Sequence, residues 1–186
     1  MMEHHYNKRH FTFKGFILLN RTFITNLRSI FKTLISKRIS GIFKEKLLLT
    51  ITAVNKCRYC TMVHTRISQK MGMSREDIKK IFVFNFSELE DDELEAIMFA
   101  HHYAESGQKP SKQATKELLS SYDKEKARDI FNYIILITYG NLMGNTIESF
   151  ESRIKGCPPE FGSFFFEFLV YTLGFFFHKL ILQLKN

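Results

Sequence analysis

The chain has 186 residues, and 45% of them are hydrophobic, so it can bury one sizeable core without disulfide staples. This composition excludes an intrinsically disordered protein, and the three cysteines do not form the even, spread framework of a small secreted protein. No unbroken apolar run with the length of a secretory signal follows the basic start, so we expect a cytoplasmic protein.

The formal net charge of +8 is concentrated in the amino-terminal part of the chain. Residues 1–50 contain ten Lys or Arg against two acids, and the remainder is balanced. A basic arm can meet nucleic acid, an anionic membrane surface or an acidic partner. Nucleic acid is the least favoured, because no base-stacking aromatic signature interleaves with the cations. We divide the chain into a basic amino-terminal extension, residues 1–40, and a single domain, residues 41–186.

The first predicted helix runs from Phe16 to Ile35, where apolar residues recur at helical spacing and basic residues occupy the outer face. Such a helix suits a membrane surface, but it also suits docking on the body of the protein or on a neighbouring subunit. We favour docking, and contact with a membrane surface remains the alternative.

Six further helices are predicted before the carboxyl-terminal segment. The first covers residues 45–54, and a short interruption at residues 55–56 separates it from the next, which begins near Cys57 and ends at Gly72. Ser74, followed by two acids, is typical of a cap and opens a short helix. The remaining predicted ranges are 93–105, a short helix over 112–120, and a long helix that Asp123 caps and that a stop at residues 156–159 ends.

The last predicted helix spans residues 161–184 and contains eight phenylalanines between residues 161 and 177. A membrane span is disfavoured because Glu167 would lie inside it, and because the apolar run ends at His178 and Lys179, short of the roughly 20 residues that a bilayer requires. We expect a buried core helix or a subunit-interface helix. Since no segment alternates like a strand, the predicted fold is all-α, a bundle of about six to eight helices.

The pattern that carries chemistry is Cys57-x-x-Cys60-x-x-x-His64. These positions share one face of a helix, because two turns take about seven residues. Two thiols at this spacing can close a disulfide with little backbone movement, and thiols near a helix amino terminus are biased toward thiolate. His64 can exchange a proton with Cys60 near neutral pH, since the pKa of free histidine is about 6.5. We interpret the three residues as a redox centre.

Three other interpretations of these residues stay open. The cysteines can be buried structural residues beside a core histidine, or they can bind zinc with His64 and with His101 or His102. The third alternative is a non-catalytic interaction protein or membrane-associated protein, in which the basic extension and the Phe-rich helix are the working parts. Cys157 lies far from the pair and is predicted to be a packing residue.

A glutamate extends the redox pattern and gives it a family resemblance. Glu45 precedes the Cys-x-x-Cys pair by twelve residues, and His64 follows the pair by four. With the flanking Leu-rich helix and the capped helix after it, this spacing resembles the carboxymuconolactone decarboxylase and alkylhydroperoxidase D superfamily. The resemblance covers about residues 43–85, and Asn141 and Asn145 match its continuation loosely.

The resemblance implies an oligomeric helical bundle of the alkylhydroperoxidase D type, a trimer or a hexamer. It implies a thiol-dependent antioxidant enzyme without metal, flavin or other cofactor, which reduces alkyl hydroperoxides or disulfides with a dithiol partner such as a lipoyl protein or a thioredoxin-like protein. Lactone decarboxylases of the superfamily do not rely on a Cys pair, so the pair points to the redox branch. Tyr59 is a departure, because some members have histidine there, and it is a secondary candidate for the site.

Glu45 can serve as a proton acceptor only if the chain turns between it and the cysteines. In one straight helix it would lie about 18 Å from Cys57, at 1.5 Å per residue. If the chain turns at residues 55–56, the carboxylate falls opposite His64, and the expected order of groups is Glu45, His64, Cys60. The alternative for Glu45 is a solvated charge between two lysines.

Either cysteine of the pair is a candidate for the attacking thiol. Helix-end electrostatics favours Cys57, which is nearer the amino terminus, whereas the nearby histidine and the resemblance favour Cys60. We expect Cys60 to attack a peroxide or a disulfide and Cys57 to close the intramolecular disulfide that a partner thiol then reduces.

Overall fold

A computed structural model describes residues 8–157 and 162–183, with side chains described up to residue 174 in the second segment. These residues form eight α helices and contain no strand, which confirms the prediction of an all-α bundle. In chain order the helices are α1 (Phe13–Ile35), α2 (Gly41–Asn55), α3 (Arg58–Lys70), α4 (Arg75–Phe82), α5 (Asp91–Glu105), α6 (Lys112–Ser121), α7 (Lys124–Ile154) and α8 (Phe164–Gln183).

The helix ends follow their capping residues. α1 begins three residues earlier than predicted, because the hydroxyl of Thr12 accepts the amide N–H of Gly15 and caps the helix. α2 also begins earlier than predicted, since Ser40 caps it through the amide N–H of Phe43. The cap predicted at Ser74 is confirmed and forms a reciprocal capping box.

The long helix α7 organises the bundle. Asp123 caps it as predicted, and α7 then packs against α1, α2, α3, α5, α6 and α8. Its inward face includes Ile130 and Ile134, which are fully buried, and α2 opposes it with Leu47 and Ile51, which are fully buried as well. Burying a side chain of this size contributes about 1.5–3 kcal/mol, so the α2–α7 contact holds the part of the chain that carries the cysteines.

The basic extension docks on the body through α1. Leu19 and Ile30 of α1 are buried against α7. Thr33 donates a hydrogen bond of 2.6 Å to Asp129 of α7, and the guanidinium of Arg38 lies 2.7 Å from the same carboxylate. One face of α1 is therefore docked, as the sequence favoured.

The carboxyl-terminal helix α8 packs along α7, and the ends of its predicted range, Phe161 and Leu184, lie outside the described residues. Glu167 is buried at 1% exposure and forms a two-pronged ion pair with Arg153, at 2.8 and 3.1 Å. Within residues 8–157 and 162–183, no helix combines the length and apolar character that a bilayer crossing needs.

Cys157 lies after the end of α7, beyond the left-handed Gly156. It is exposed, so the prediction of a packing residue is wrong. The glycine lets the chain leave the helix with a positive φ of 81°, and the cysteine after it points away from the core.

Candidate functional site

The turn predicted at residues 55–56 is present and places α2 beside α3. Lys56 ends α2 in the left-handed region, with φ 54° and ψ 42°, a conformation that costs a lysine about 1 kcal/mol or more. Cys57 follows in an extended conformation and caps α3, because its sulfur accepts the amide N–H of Cys60 at 3.3 Å. Cys57 therefore lies just outside the helix as its N-cap, whereas the sequence placed it on the helical face of Cys60 and His64.

The two sulfur atoms of the pair lie 2.6 Å apart, and both cysteines are free thiols. This separation is roughly 0.5 Å longer than a disulfide bond. Cys57 is 0% exposed and Cys60 is 6% exposed. The pair is thus arranged to form a disulfide without movement of the backbone, inside the protein and away from bulk solvent.

The two thiols are inequivalent. The hydrogen bond from the thiol of Cys60 lowers the pKa of Cys57 below its ordinary value, against burial, which raises it, and the amide N–H of Cys60 lowers it further. The same thiol–thiol hydrogen bond raises the pKa of Cys60 well above its ordinary value, and burial adds to this shift. When the pair loses one proton, these shifts place the resulting negative charge on Cys57 and leave the remaining proton on Cys60.

Glu45 and His64 form a second pair beside the thiols. Nδ1 of His64 lies 2.8 Å from Oε2 of Glu45, and Lys44 lies 3.4 Å from the other carboxylate oxygen. Glu45 is 1% exposed, so it is not the solvated charge of the alternative interpretation. An ionised Glu45 accepts the Nδ1–H of the imidazole and leaves Nε2 as its second ring nitrogen.

His64 and Cys60 are one helical turn apart on α3. Within the described residues, no hydrogen bond joins this imidazole to either thiol, so the structure contains the first step of the expected order, Glu45 to His64, and not the second. A change in the rotamer of His64, or one water between His64 and Cys60, would complete a proton path across this one helical turn.

Helix α7 forms the opposite wall of the site. A Cβ atom on Gly144 would lie 3.0 Å from the sulfur of Cys57, so the absence of a side chain allows this close approach. Asn145 donates hydrogen bonds to the carbonyl oxygens of Asn55, at 2.7 Å, and of Arg9, at 2.5 Å. Asn141, which like Asn145 matches the continuation of the superfamily pattern loosely, accepts a hydrogen bond from Thr52 at 3.2 Å.

Residues 8–12, which we call the strap, lie against α2 and α7 on this side of the site, and sequence reasoning missed them. The amide N–H of Arg9 donates to the carbonyl of Asn55 at 3.3 Å. Two residues further on, the amide N–H of Phe11 donates to Thr146 at 2.9 Å. Lys8 forms an ion pair with Glu148. The strap has no periodic pattern of its own, so only its contacts across the fold reveal its position.

Tyr59 lies between the cysteines in sequence, but its hydroxyl is directed elsewhere. It donates a hydrogen bond of 2.8 Å to Glu151 of α7. Burial and this hydrogen bond raise the pKa of Tyr59 above its ordinary value, so the phenol stays protonated at neutral pH. Tyr59 therefore helps to hold α3 against α7.

The histidines of the zinc interpretation have contacts elsewhere. Nε2 of His102 accepts the amide N–H of Ser111 at 3.0 Å. The ring of His101 packs edge-on against the ring of Phe84, with the two ring centroids 4.6 Å apart. Across the part of the chain that the structure describes, no group of three or more His, Cys, Asp or Glu side chains is arranged to hold a metal ion. The zinc interpretation therefore has no ligand set among these residues.

The fold and the site define an all-helical protein with a buried Cys-x-x-Cys pair next to a carboxylate–imidazole pair. The model of the carboxymuconolactone decarboxylase family matches residues 25–100, which confirms the predicted resemblance and extends it beyond residues 43–85. All four candidate catalytic residues lie within the matched range. Comparisons with curated proteins and with solved structures give no significant match. The family includes both decarboxylases and peroxidases of the alkylhydroperoxidase D type.

Proposed function

We propose that this protein is a thiol-dependent oxidoreductase that reduces peroxides or disulfides through Cys57 and Cys60. The observation that carries the proposal is the 2.6 Å approach of the two sulfurs together with the opposite shifts of their pKa values. Two structural cysteines have no need of either property, whereas a dithiol catalyst needs one thiolate and one proton donor within bonding reach.

The direction of these shifts favours Cys57 as the attacking thiolate, the role that the resemblance assigns to Cys60. In the proposed reaction the sulfur of Cys57 attacks the terminal oxygen of a hydroperoxide and the O–O bond breaks. The leaving alkoxide takes up a proton and departs as an alcohol, and Cys57 becomes a sulfenic acid.

The second step closes the disulfide. The sulfur of Cys60 loses its proton and attacks the sulfur of Cys57, and the hydroxyl of the sulfenic acid leaves as water once it is protonated. A dithiol partner, such as a lipoyl or thioredoxin-like protein, then reduces the bridge by thiol–disulfide exchange and becomes a disulfide itself. With a disulfide substrate, the first attack forms a mixed disulfide in place of the sulfenic acid.

The pair of Glu45 and His64 serves the proton transfers in this scheme. His64 accepts the proton of Cys60, whose pKa is raised well above its ordinary value and which therefore needs a base. Glu45 orients the imidazole through Nδ1 and stabilises it once it carries a positive charge. Because both thiols are buried, the proposal also requires the strap or α3 to move before a substrate can enter.

A steady-state assay with cumene hydroperoxide and dihydrolipoamide tests the proposal. Wild-type protein is expected to consume both compounds, Cys57→Ser and Cys60→Ser to lose turnover, and the exposed-thiol control Cys157→Ser to keep it. Peptide mapping after mild oxidation should find the bridge between Cys57 and Cys60, with Cys157 spared. Equal rates for wild type and the Cys57→Ser/Cys60→Ser double variant, with this peroxide and with a disulfide substrate, would refute the proposal.

A further inference from the structure

Helix α1 docks one face on α7 and turns a second apolar face outward. Eight large apolar side chains on it are between 51% and 69% exposed, and five of the eight lie along one line. At 100° per residue they fall within about 40° of the helix circumference, so they form one straight stripe along the 23-residue helix. These residues, the outer stripe, are Phe13, Ile17, Ile24, Phe31 and Ile35.

A row of cations runs beside the outer stripe. It consists of Lys14, Arg21, Arg28 and Lys32, which are all exposed. Helix α1 contains no acidic residue, and among the described residues no carboxylate pairs with any of the four. Uncompensated cations along a buried protein interface would be costly, so this row needs either solvent or an anionic partner.

The cation row also borders a groove between α1 and α7. The groove has a volume of about 420 Å³ and is lined by Thr25, Arg28, Ser29, Lys32 and Arg128. Its three positive side chains and the hydroxyl of Ser29 match the donors that bind phosphate oxygens, whereas the hydroxyl of Thr25 already donates to the carbonyl of Arg21. The groove lies on the flank of the outer stripe, where the phosphate of a lipid would sit if the stripe were inserted among acyl chains.

We infer that α1 binds the surface of an anionic phospholipid bilayer, with the helix in the plane of the membrane. The outer stripe enters the boundary of the acyl chains, and the cation row and the groove bind lipid phosphates. This inference does not depend on the proposed function. It assigns a lipid partner to the outward face of α1. The other face of α1 packs on α7.

Charge distinguishes this partner from a second copy of the chain. Antiparallel two-fold pairing through the outer stripe would bring the cation row of one copy against that of the other. In a parallel pair each row would border the partner's α1, and in neither arrangement does α1 offer an acid to compensate the cations. By contrast, the outward residues of α8, such as Phe165, Phe168 and Leu169, are uncharged and suit contact with protein. The α1 surface therefore fits anionic lipid better than it fits itself.

Vesicle co-sedimentation at physiological salt tests the inference with the full chain. One set of vesicles is phosphatidylcholine alone, and the other contains about 30% phosphatidylserine. Arg28→Gln/Lys32→Gln removes two cations, and Ile24→Ser/Phe31→Ser removes two apolar side chains. The matched control is Lys116→Gln/Leu119→Ser on α6, which also changes an exposed lysine and an exposed apolar residue.

The wild type and the α6 control are expected to sediment with the anionic vesicles and to remain in solution with phosphatidylcholine. The charge variant should bind about 30-fold more weakly, at roughly fivefold for each cation near the surface, and the apolar variant should also bind more weakly. Because all four substituted residues are exposed, thermal melts should match the wild type.

Absence of wild-type binding to the anionic vesicles would overturn the inference, as would unchanged binding by the charge variant. Tighter binding to duplex DNA than to the vesicles would assign the cation row to nucleic acid. A loss of oligomer mass in the apolar variant, with no vesicle binding by the wild type, would assign the outer stripe to a second copy.

Discussion

Nδ1 of His64 lies 2.8 Å from Oε2 of Glu45, although the two residues are 19 positions apart and belong to different helices. If they form one proton-transfer unit, Glu45→Gln and His64→Gln should each slow reduction by about 10²- to 10⁴-fold. The double variant should be little slower than the slower single variant, because each change disables the same unit. Steady-state rates with a dithiol reductant measure this, and thermal melts separate a catalytic effect from unfolding. An unchanged rate for Glu45→Gln would limit the carboxylate to a structural role.

The shifted pKa of Cys57 should appear in its reactivity toward iodoacetamide. In a Cys157→Ser background, alkylation of Cys57 should rise with pH through a midpoint below the pKa of about 8.5 of free cysteine. Cys60→Ala removes the thiol that is hydrogen-bonded to Cys57, so the thiolate is less stabilised and the midpoint should move to higher pH. Mass spectrometry of peptides after timed alkylation follows each site. If the midpoint for Cys57 is the same with and without Cys60→Ala, the thiol–thiol hydrogen bond does not determine the pKa of Cys57.

Two glycines of α7 provide a matched test of packing at the dithiol. A Cβ at Gly144 would lie 3.0 Å from the sulfur of Cys57, whereas one at Gly140 meets no atom within 4 Å. Gly144→Ala should lower the free energy of unfolding by about 1–3 kcal/mol, because the sulfur must move out of a packed site. Gly140→Ala should leave it unchanged or raise it by up to about 1 kcal/mol, since alanine favours a helix over glycine. Denaturant unfolding of both variants measures the difference, and equal stabilities would contradict the close approach.

Self-association is expected through α8, not through α1. The rings of Phe165 and Phe168 and the side chain of Leu169 form an uncharged outward surface that a monomer rarely leaves in water. Light scattering without detergent should give a multiple of the 22.0 kDa chain mass, such as a trimer or a hexamer. Phe165→Ser/Leu169→Ser should reduce that mass, and Leu119→Ser on α6 should not. A wild-type mass near 22.0 kDa would contradict this prediction.

The helices could be predicted from the sequence because their signals are local. The Ser74 cap, the Asp123 cap and the turn at residues 55–56 each depend on a few adjacent residues, and the structure has all three. The predicted starts of α1 and α2 were late by three and four residues, because apolar periodicity begins after the cap that fixes the first turn.

The site was predictable only where one spacing determined it. Glu45 could be placed opposite His64 because a turn halfway between them folds one helix back on the other. The strap and Gly144 could not be placed, since their roles depend on contacts between distant parts of the chain. The exposed position of Cys157 was also missed, because nothing adjacent to it in sequence distinguishes a thiol at a helix end from one in a core.

Asn145 has a consequence for how the protein is made. Its side chain holds the carbonyl of Asn55, 90 residues earlier, and that of Arg9, 136 residues earlier. During synthesis on the ribosome, the cysteine pair therefore emerges well before the helix that encloses it. Closure of the site must await most of α7, since contacts of high sequence separation form late. The segment that the family model matches, residues 25–100, contains every thiol and carboxylate of the candidate centre but neither α7 nor the strap.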